Sequence, residues 1–119
     1  MPRFVVLRHD TPAGLHWDFM LEFAGALRTW ALQEEPTVTQ TIPAHTLPDH
    51  RLAYLDYEGP VSGDRGSVSQ FDTGTFETVE CKDELVIVQL AGTKLTGRAV
   101  VERVSGSCGD GWQFCFVSD

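Results

Sequence analysis

The sequence carries little positive charge. Nine lysine and arginine residues stand against seventeen aspartate and glutamate residues, which gives a formal net charge of −8 over 119 residues. An acidic protein is repelled by a phosphate backbone, so this composition argues against non-specific binding to nucleic acid. No run of lysine and arginine along the sequence supplies a local basic patch either. Any binding to duplex DNA is therefore predicted to be weak and strongly dependent on salt.

Long apolar runs are missing as well. No stretch approaches the roughly twenty apolar residues that a membrane-spanning helix needs. The first residues, MPRFVVLRHD, enter a predicted strand directly and lack the features of a signal peptide. We therefore expect a cytoplasmic protein without membrane association. A length of 119 residues predicts a single domain, 1–119, that is large enough to bury its own core.

Cysteine is scarce, and its spacing excludes the common metal and redox motifs. Cys81, Cys108 and Cys115 make an odd number and form no C-x-x-C pair. Free thiols in a reducing compartment are the interpretation that we adopt. A bridge between Cys108 and Cys115 across the last hairpin is the alternative.

Sustained helical periodicity is also lacking. No segment longer than about two turns repeats its apolar residues at the helical period. Glycine-containing turns instead separate short alternating segments, which is typical of strands. The predicted strands are Phe4–His9, Leu15–Phe23, Ala26–Leu32, Leu52–Tyr57, Ser67–Phe71, Thr75–Cys81, Glu84–Leu90, Leu95–Val104 and Trp112–Val117. The sequence thus predicts an all-β fold, a compact closed or partly open β-barrel of about eight or nine short, mostly antiparallel strands.

One long segment interrupts this pattern. Gln33–Asp49 contains Pro36, Pro43 and Pro48 and shows no sustained periodicity. We predict a long proline-rich loop, with room for a short helical turn that begins at Pro36. Connections of this length inside a compact domain are usually functional or mobile.

The strand Leu15–Phe23 alternates strictly between two sets of side chains. Successive side chains of a strand point to opposite faces, so each set shares one face. The apolar set is Leu15, Trp17, Phe19, Leu21 and Phe23, and the other set, expected on a polar face, is His16, Asp18, Met20 and Glu22. His9 ends the preceding strand, and the turn around Thr11–Gly14 is expected to bring it back towards His16.

His9, His16 and Asp18 together have the chemistry of a metal site. Two neutral imidazoles and a carboxylate on rigid strands form a facial ligand set that leaves coordination positions open. Mn²⁺, Fe²⁺ and Zn²⁺ all suit such a set. The alternative is that these side chains occupy the solvated face of an amphipathic hairpin, and the bare H-x6-H-x-D spacing favours that alternative.

His50 and Tyr54 form a second candidate pair. They share a face on a strand, and they would also be neighbours on a helix. A converging histidine and phenol can bind a phosphate oxygen or donate a proton to a leaving group. Taken alone, the pair is more simply read as a rim histidine and a core tyrosine whose hydroxyl is satisfied.

Other charged and polar groups could lie beside the hairpin, although most of the plentiful acidic residues are expected to be solvated. Arg8 and Arg28 are the nearest cations, because their strands flank the motif, although Arg8 faces away from His9 unless the strand bulges. His45, in the proline-rich loop, could also reach the site. Gly63–Gly66 is predicted to be a turn, since it lacks the strand-to-helix context of a phosphate-binding loop.

Several segments, taken in order, carry a resemblance to a known family. The chain reads FVVLRHD, TPAG, LHWDFMLE and GALRTWALQEEP, followed by DHRLAYLDYEG, FDTGTF, LAGTKLTGRAVVER and GWQFCF. These segments resemble the 3′-phosphoesterase domain of bacterial DNA ligase D and its stand-alone relatives. The pattern of that family includes F-V-V-x-x-H-D, L-H-Y-D-F-R-L-E and D-H-P-L-E-Y-x-D-F-E-G. The resemblance covers nearly the whole chain, and its H-D…L-H-[YW]-D-F-x-L-E piece is quite specific.

The resemblance implies a β-barrel that acts as a Mn²⁺-dependent phosphoesterase, with Zn²⁺ or another transition metal as the alternative. Such enzymes trim a 3′-terminal ribonucleotide or a 3′-phosphate from a DNA or RNA primer end in DNA repair. By position, His9, His16 and Asp18 match the metal ligands of the family. His50 and Tyr54 match its phosphate-site histidine and tyrosine. The implied partner is a nucleic-acid 3′ end or another phosphorylated substrate, with a possible ligase or polymerase partner.

Two positions depart from the family pattern. Met20 stands where the family has an arginine that contacts the scissile phosphate, and Glu34 stands where it has a lysine. One well-placed charge-stabilising group is typically worth roughly 2.7–4 kcal/mol in the transition state. Arg8 and Met20, with His50 and Tyr54, are the side chains expected around the substrate phosphate. Whether the chain is an enzyme or a non-catalytic metal- or phosphate-binding module in a repair complex therefore stays open at this point.

Overall fold

A single antiparallel sheet closes on itself to form the body of the protein. The structure, a computed structural model, describes residues 1–37, 41–104 and 111–119. Its strands are β1 Arg3–Thr11, β2 Gly14–Phe23, β3 Ala26–Leu32, β4 Ile42–His50, β5 Gly59–Pro60, β6 Ser67–Cys81, β7 Leu85–Gly92, β8 Thr96–Arg103 and β9 Trp112–Ser118. A short 3-10 helix, Leu52–Leu55, follows β4. The strand order is β1-β2-β3-β4-β9-β8-β7-β6-β5, and an additional β1–β6 pairing closes a ring of eight strands. The predicted all-β barrel is confirmed.

The interior of the ring holds the larger apolar core. Every one of the eight ring strands contributes to this cluster of buried residues, whose largest fully buried side chains are Phe4, Phe19, Trp30, Phe76 and Phe114. Phe19 contacts Phe114 edge-to-face, with ring centroids 5.2 Å apart. This packing supports the β1–β2 hairpin from one side and makes it a rigid part of the barrel wall.

A smaller apolar cluster lies on the outer face of the same hairpin. Its members are Val5, Leu7, Met20, Leu27, Leu55 and Val68. Because side chains alternate along a strand, Val5 and Leu7 point away from the interior that receives Phe4. Leu55 belongs to the 3-10 helix, so the segment after β4 covers this outer face. The face that the alternation predicted to be polar is therefore buried at its centre, and that prediction was wrong.

The proline-rich segment contains a strand. The prediction of one unbroken loop over Gln33–Asp49 was wrong, because β4, Ile42–His50, occupies its second half. Pro48 is tolerated because the β3–β4 register shifts between Leu27 and Thr29, which leaves no strand partner opposite it. The start of the segment stays irregular, with a turn at residues 36–37.

Three other strand predictions also differ from the structure, because tertiary contacts decide the conformation of these segments. Leu52–Tyr57, predicted as a strand, begins with the 3-10 helix, because Leu55 folds over the outer apolar cluster. The strands predicted at Ser67–Phe71 and Thr75–Cys81 form one continuous strand, β6. The glycine between them marks a close approach of two strands and not a turn, since a Cβ on Gly74 would lie 2.1 Å from the backbone oxygen of Ala91.

The remaining sequence predictions concern cysteines and membranes. Cys81 and Cys115 are free thiols. Cys108 lies outside the described residues. Within the described ranges, no helix has the length and apolar character needed to cross a membrane.

Candidate metal centre

The pairing of β1 with β2 brings the two predicted histidines together. His9 lies directly opposite His16 in the antiparallel register, and their ring centroids are 4.7 Å apart. Asp18 follows two residues after His16 on the same face of β2. The turn at Thr11–Gly14 thus brings His9 back towards His16, as the sequence predicted.

The three side chains form a compact cluster of potential ligand atoms. Each of His9, His16 and Asp18 offers one atom, and these atoms all lie within 4.8 Å of one another. Nδ1 of His9 lies 3.0 Å from Oδ2 of Asp18, and Nε2 of His16 lies 2.9 Å from Oδ1. In the part of the chain that the structure describes, this is the one such group of histidine, cysteine and acidic side chains.

The Asp18 carboxylate is buried and incompletely satisfied. The residue is 2% exposed, and Oδ1 has no hydrogen-bond partner among the described residues. The 2.9 Å contact with His16 is close but lacks hydrogen-bond geometry. A buried, unpaired carboxylate oxygen is costly, and it marks a position where a cation would be favoured. The donor set therefore fits a divalent metal ion.

A backbone contact fixes the orientation of His9. Nε2 of His9 lies 2.7 Å from the carbonyl oxygen of Arg65. A carbonyl only accepts hydrogen bonds, so Nε2 must carry the hydrogen. In the neutral ring, Nδ1 then presents its lone pair towards Asp18, where it can ligate a metal. Metal-binding histidines commonly use their second nitrogen in this way.

The turn that carries Arg65 is pressed against β1. Gly66 has a φ of +85°, and a Cβ there would lie 1.8 Å from the backbone oxygen of Asp10. The backbone N–H of Val61 donates to the carbonyl of Gly66 over 2.8 Å. Only glycine permits this close approach, which holds the Arg65 carbonyl beside His9. Sequence reasoning identified the turn but not this contact, because a backbone carbonyl leaves no trace in the residue type.

The cluster opens into a pocket of about 730 Å³. The predicted His50 and Tyr54 both line it, with ring centroids 5.4 Å apart. Nδ1 of His50 donates to the carbonyl of Pro48 over 2.8 Å, which leaves Nε2 free of that bond. His45 also lines the pocket, from β4 and not from a loop. One pocket thus contains both candidate groups that the sequence suggested, the three potential metal ligands and the pair of His50 and Tyr54.

The cations near the pocket differ from those that sequence proximity suggested. Arg8 is exposed and does not line the pocket. Arg28 is directed elsewhere, since it donates to the carbonyls of Lys82 and Asp83. Arg51 and Arg65 line the pocket in their place.

Met20 lines the same pocket from within the outer apolar cluster. It is 1% exposed and belongs to the same buried cluster as Leu7, Leu55 and Val68. Because of this burial, a charged residue at the position would lower the free energy of unfolding. Glu34 is exposed and does not line the pocket.

Comparison with known proteins assigns the chain to a family. The sequence model of the DNA ligase D 3′-phosphoesterase domain matches residues 7–103. This range contains the cluster of His9, His16 and Asp18 and also His50 and Tyr54. The chain belongs to this family, as the resemblance of its motifs implied.

Curated relatives support this assignment. One is the multifunctional non-homologous end joining DNA repair protein LigD of Mycobacterium tuberculosis, 34% identical over 87% of this chain. Another is the multifunctional non-homologous end joining protein LigD of Pseudomonas aeruginosa, 32% identical over 81% of this chain. The alignments cover 15% and 12% of those relatives, so this chain corresponds to a small part of each.

The contact between His9 and the Gly66 turn gives a test of the candidate metal centre. We expect Gly66→Ala to weaken Mn²⁺ affinity by roughly 10- to 100-fold, because the new Cβ would force the turn and the Arg65 carbonyl away from His9. Calorimetric titration measures this affinity directly. The nitrogen chemical shifts of His9 report loss of the Nε2–H tautomer independently.

Gly63→Ala is the matched control. Gly63 lies in the same turn and also has a positive φ, +75°, but its Cβ would meet only the Arg65 Nε, at 3.8 Å. It therefore imposes similar backbone strain without the clash. His16→Ala sets the scale for a lost ligand. Equal Mn²⁺ affinity in folded Gly66→Ala and Gly63→Ala variants would contradict the account of His9.

Proposed function

We propose that this chain is a divalent-metal-dependent phosphoesterase that acts on a nucleic-acid 3′ end in DNA repair. The reaction would remove a 3′-terminal ribonucleotide or a 3′-phosphate. The observation that carries the proposal is the His9, His16 and Asp18 cluster, with its buried and unsatisfied carboxylate, at a pocket that His50 and Tyr54 also line. Membership of the 3′-phosphoesterase domain family supports the choice of substrate.

His9, His16 and Asp18 would hold the metal, and we propose Mn²⁺. Imidazole nitrogen together with carboxylate oxygen suits Mn²⁺, although Zn²⁺ accepts the same donors. A bound divalent ion would supply Lewis-acid polarisation of the phosphoryl oxygens and help to activate a water molecule. The carbonyl of Arg65 would keep Nδ1 of His9 available for this task.

His50 and Tyr54 would act on the phosphoryl group itself. As an imidazolium, His50 would donate its Nε2 proton to the leaving oxygen as the bond from that oxygen to phosphorus breaks and a water oxygen bonds to phosphorus. The bond from Nδ1 to the Pro48 carbonyl directs Nε2 for this role. The Tyr54 hydroxyl would donate a hydrogen bond to a non-bridging oxygen. Arg8 does not line the pocket, so it has no role in binding the substrate phosphate in this proposal.

The names of the relatives suggest the setting. Both LigD proteins are named for non-homologous end joining, and a ligase or polymerase activity there would consume a 3′ hydroxyl end. We propose that this chain works as one domain that prepares such ends in the cytoplasm. The net charge of −8 predicts that it binds duplex DNA weakly without a partner.

A second candidate function is a non-catalytic metal- or phosphate-binding module. The observation that favours it is Met20, which presents a thioether to the pocket where the family pattern has an arginine. Without that cation, phosphate binding would rely on the metal, His50 and Tyr54. The two candidates differ in turnover and not in metal binding.

Incubation with a primer that ends in a single ribonucleotide or a 3′-phosphate separates these candidates. We expect Mn²⁺-dependent release of the terminal group by the unsubstituted protein. His9→Ala should lose this activity, because a ligand is removed from the cluster. Product analysis on a denaturing gel checks both. Metal binding without product formation on either primer would reject the enzyme and favour the binding module.

A Met20→Arg variant tests the missing cation. A guanidinium at this position would bind phosphate oxygens bidentately, so we expect cleavage of a 3′-terminal phosphodiester to rise. Because Met20 is buried among apolar side chains, the free energy of unfolding should fall by roughly 1–3 kcal/mol. Activity assays and urea denaturation measure the two effects.

Met20→Leu is the control, since it keeps the volume and apolar character and should change neither quantity strongly. If a folded, metal-loaded Met20→Arg variant gains no activity, the absent arginine is not what limits turnover, and the binding module is favoured.

A further inference from the structure

A second pocket adjoins the one that contains the candidate metal centre. Its volume is about 350 Å³, and it is lined by Arg51, Ala53, Tyr54, Tyr57, Pro60, Val61 and Ser62. Arg51, Tyr54 and Val61 line both pockets, so they form the wall between them. A substrate that extends out of the first pocket over this wall would enter the second.

Arg51 is available to bind a ligand. Its side chain makes no hydrogen bond or ion pair with any residue in the described ranges, and the residue is exposed. Arg65, the other arginine of the first pocket, is occupied, since its guanidinium donates to the carbonyl and the hydroxyl of Ser62. Among the described residues that line the second pocket, Arg51 is the single charged group. An anionic group there would meet no opposing carboxylate.

The second pocket also offers an aromatic surface. Tyr57 is 36% exposed and contacts Tyr54 edge-to-face, with ring centroids 5.6 Å apart. The hydroxyl of Tyr57 donates to the carbonyl of Pro60, which anchors the ring. Rigid aromatic rings beside an arginine are the means by which proteins bind single-stranded nucleic acid, with bases on the rings and phosphates on the cation.

We infer that the second pocket binds the nucleotide next to the reacting 3′ end, and that Arg51 binds the phosphate that links this nucleotide to the end. The inference rests on the proposed function and adds the direction in which the strand leaves the site. Arg51 does not replace a cation at the reacting phosphate. Arg51 is exposed on the wall between the pockets, whereas Met20 is buried and lines the first pocket together with His9, His16 and Asp18.

The probe is a fluorescently labelled single-stranded oligodeoxynucleotide of about ten nucleotides with a plain 3′ hydroxyl, which offers no terminal group to remove. Anisotropy titrations in Mn²⁺ at several salt concentrations give the affinity and its salt dependence. Arg51→Gln should weaken binding several-fold and reduce the magnitude of the slope of log K against log salt by about 0.7, the value for one phosphate contact on a single strand. Arg98→Gln is the matched control, because Arg98 is exposed on β8 and lines neither pocket.

Tyr57 provides a second, independent variant. Tyr57→Leu should weaken binding by roughly fivefold or more through lost stacking, whereas Tyr57→Phe, which keeps the ring, should bind nearly as the unsubstituted protein does. Equal effects of Arg51→Gln and Arg98→Gln, or no binding by the unsubstituted protein, would overturn the inference. Failure of the proposed function would instead appear as absent hydrolysis of the ribonucleotide and 3′-phosphate primers, which this binding assay does not measure.

Discussion

The burial of the Asp18 carboxylate is the constraint on which the candidate site depends. An ionised carboxylate removed from water costs several kcal/mol unless opposite charge and hydrogen bonds compensate for it. Asp18 is 2% exposed, and its close partners are the ring nitrogens of His9 and His16. With Nε2 of His9 committed to the Arg65 carbonyl, a neutral His9 directs a lone pair at Oδ2. A divalent cation shared by the three groups would satisfy the unpaired oxygen and remove this repulsion.

The segment after β4, which covers the outer face of the hairpin, also lines the pocket into which Asp18 opens. Leu55 of this segment packs on the outer face, and its neighbours Arg51 and Tyr54 line the pocket. Further along the chain, the turn that contains Gly66 places the Arg65 carbonyl beside His9. A bidentate pair of Arg3 with Asp56, at 2.8 and 3.2 Å, helps to fasten this segment to β1. The hydrogen bond from Arg3 lowers the pKa of the Asp56 carboxyl.

That pKa shift has a definite consequence for pH dependence. Because the folded-state pKa of Asp56 is depressed, the pair contributes to stability above the ordinary pKa of an aspartate, and the contribution is lost as the pH falls through the depressed value. Asp56 is solvent-exposed, so screening keeps this contribution small. Acidification would therefore weaken the attachment of this segment to β1 by a small amount.

The alternation of residue types predicted the strands and turns whose conformation depends mainly on neighbours in sequence. The strict alternation of Leu15–Phe23 correctly predicted β2, and the turn before it brought His9 to His16. The burial of Asp18 could not be read from that alternation, because the pocket that Asp18 lines is completed by residues more than thirty positions later in the chain. The Leu52–Tyr57 segment was misread for the same reason: packing on the outer face, and not its own alternation, decides its conformation.

β4 illustrates a second limit on the prediction of structure from this sequence. Prolines ordinarily argue against a strand, and Pro48 is accommodated in β4 at the shift of the β3–β4 register. Proximity in sequence suggested Arg8 and Arg28 as the nearest cations, whereas the arginines that line the pocket, Arg51 and Arg65, come from a later part of the chain. Residue types thus identified the candidate ligands, whereas the groups that orient them and line the pocket depend on tertiary contacts.

The most direct test of the central claim is pulsed electron paramagnetic resonance of the Mn²⁺-loaded protein. If His9, His16 and Asp18 hold the ion, the spectrum will contain nitrogen couplings from two imidazoles, and His16→Ala will retain one of them. Strong Mn²⁺ binding without any imidazole nitrogen coupling, in a protein shown to be folded, would contradict the account, because the ion would then lie elsewhere.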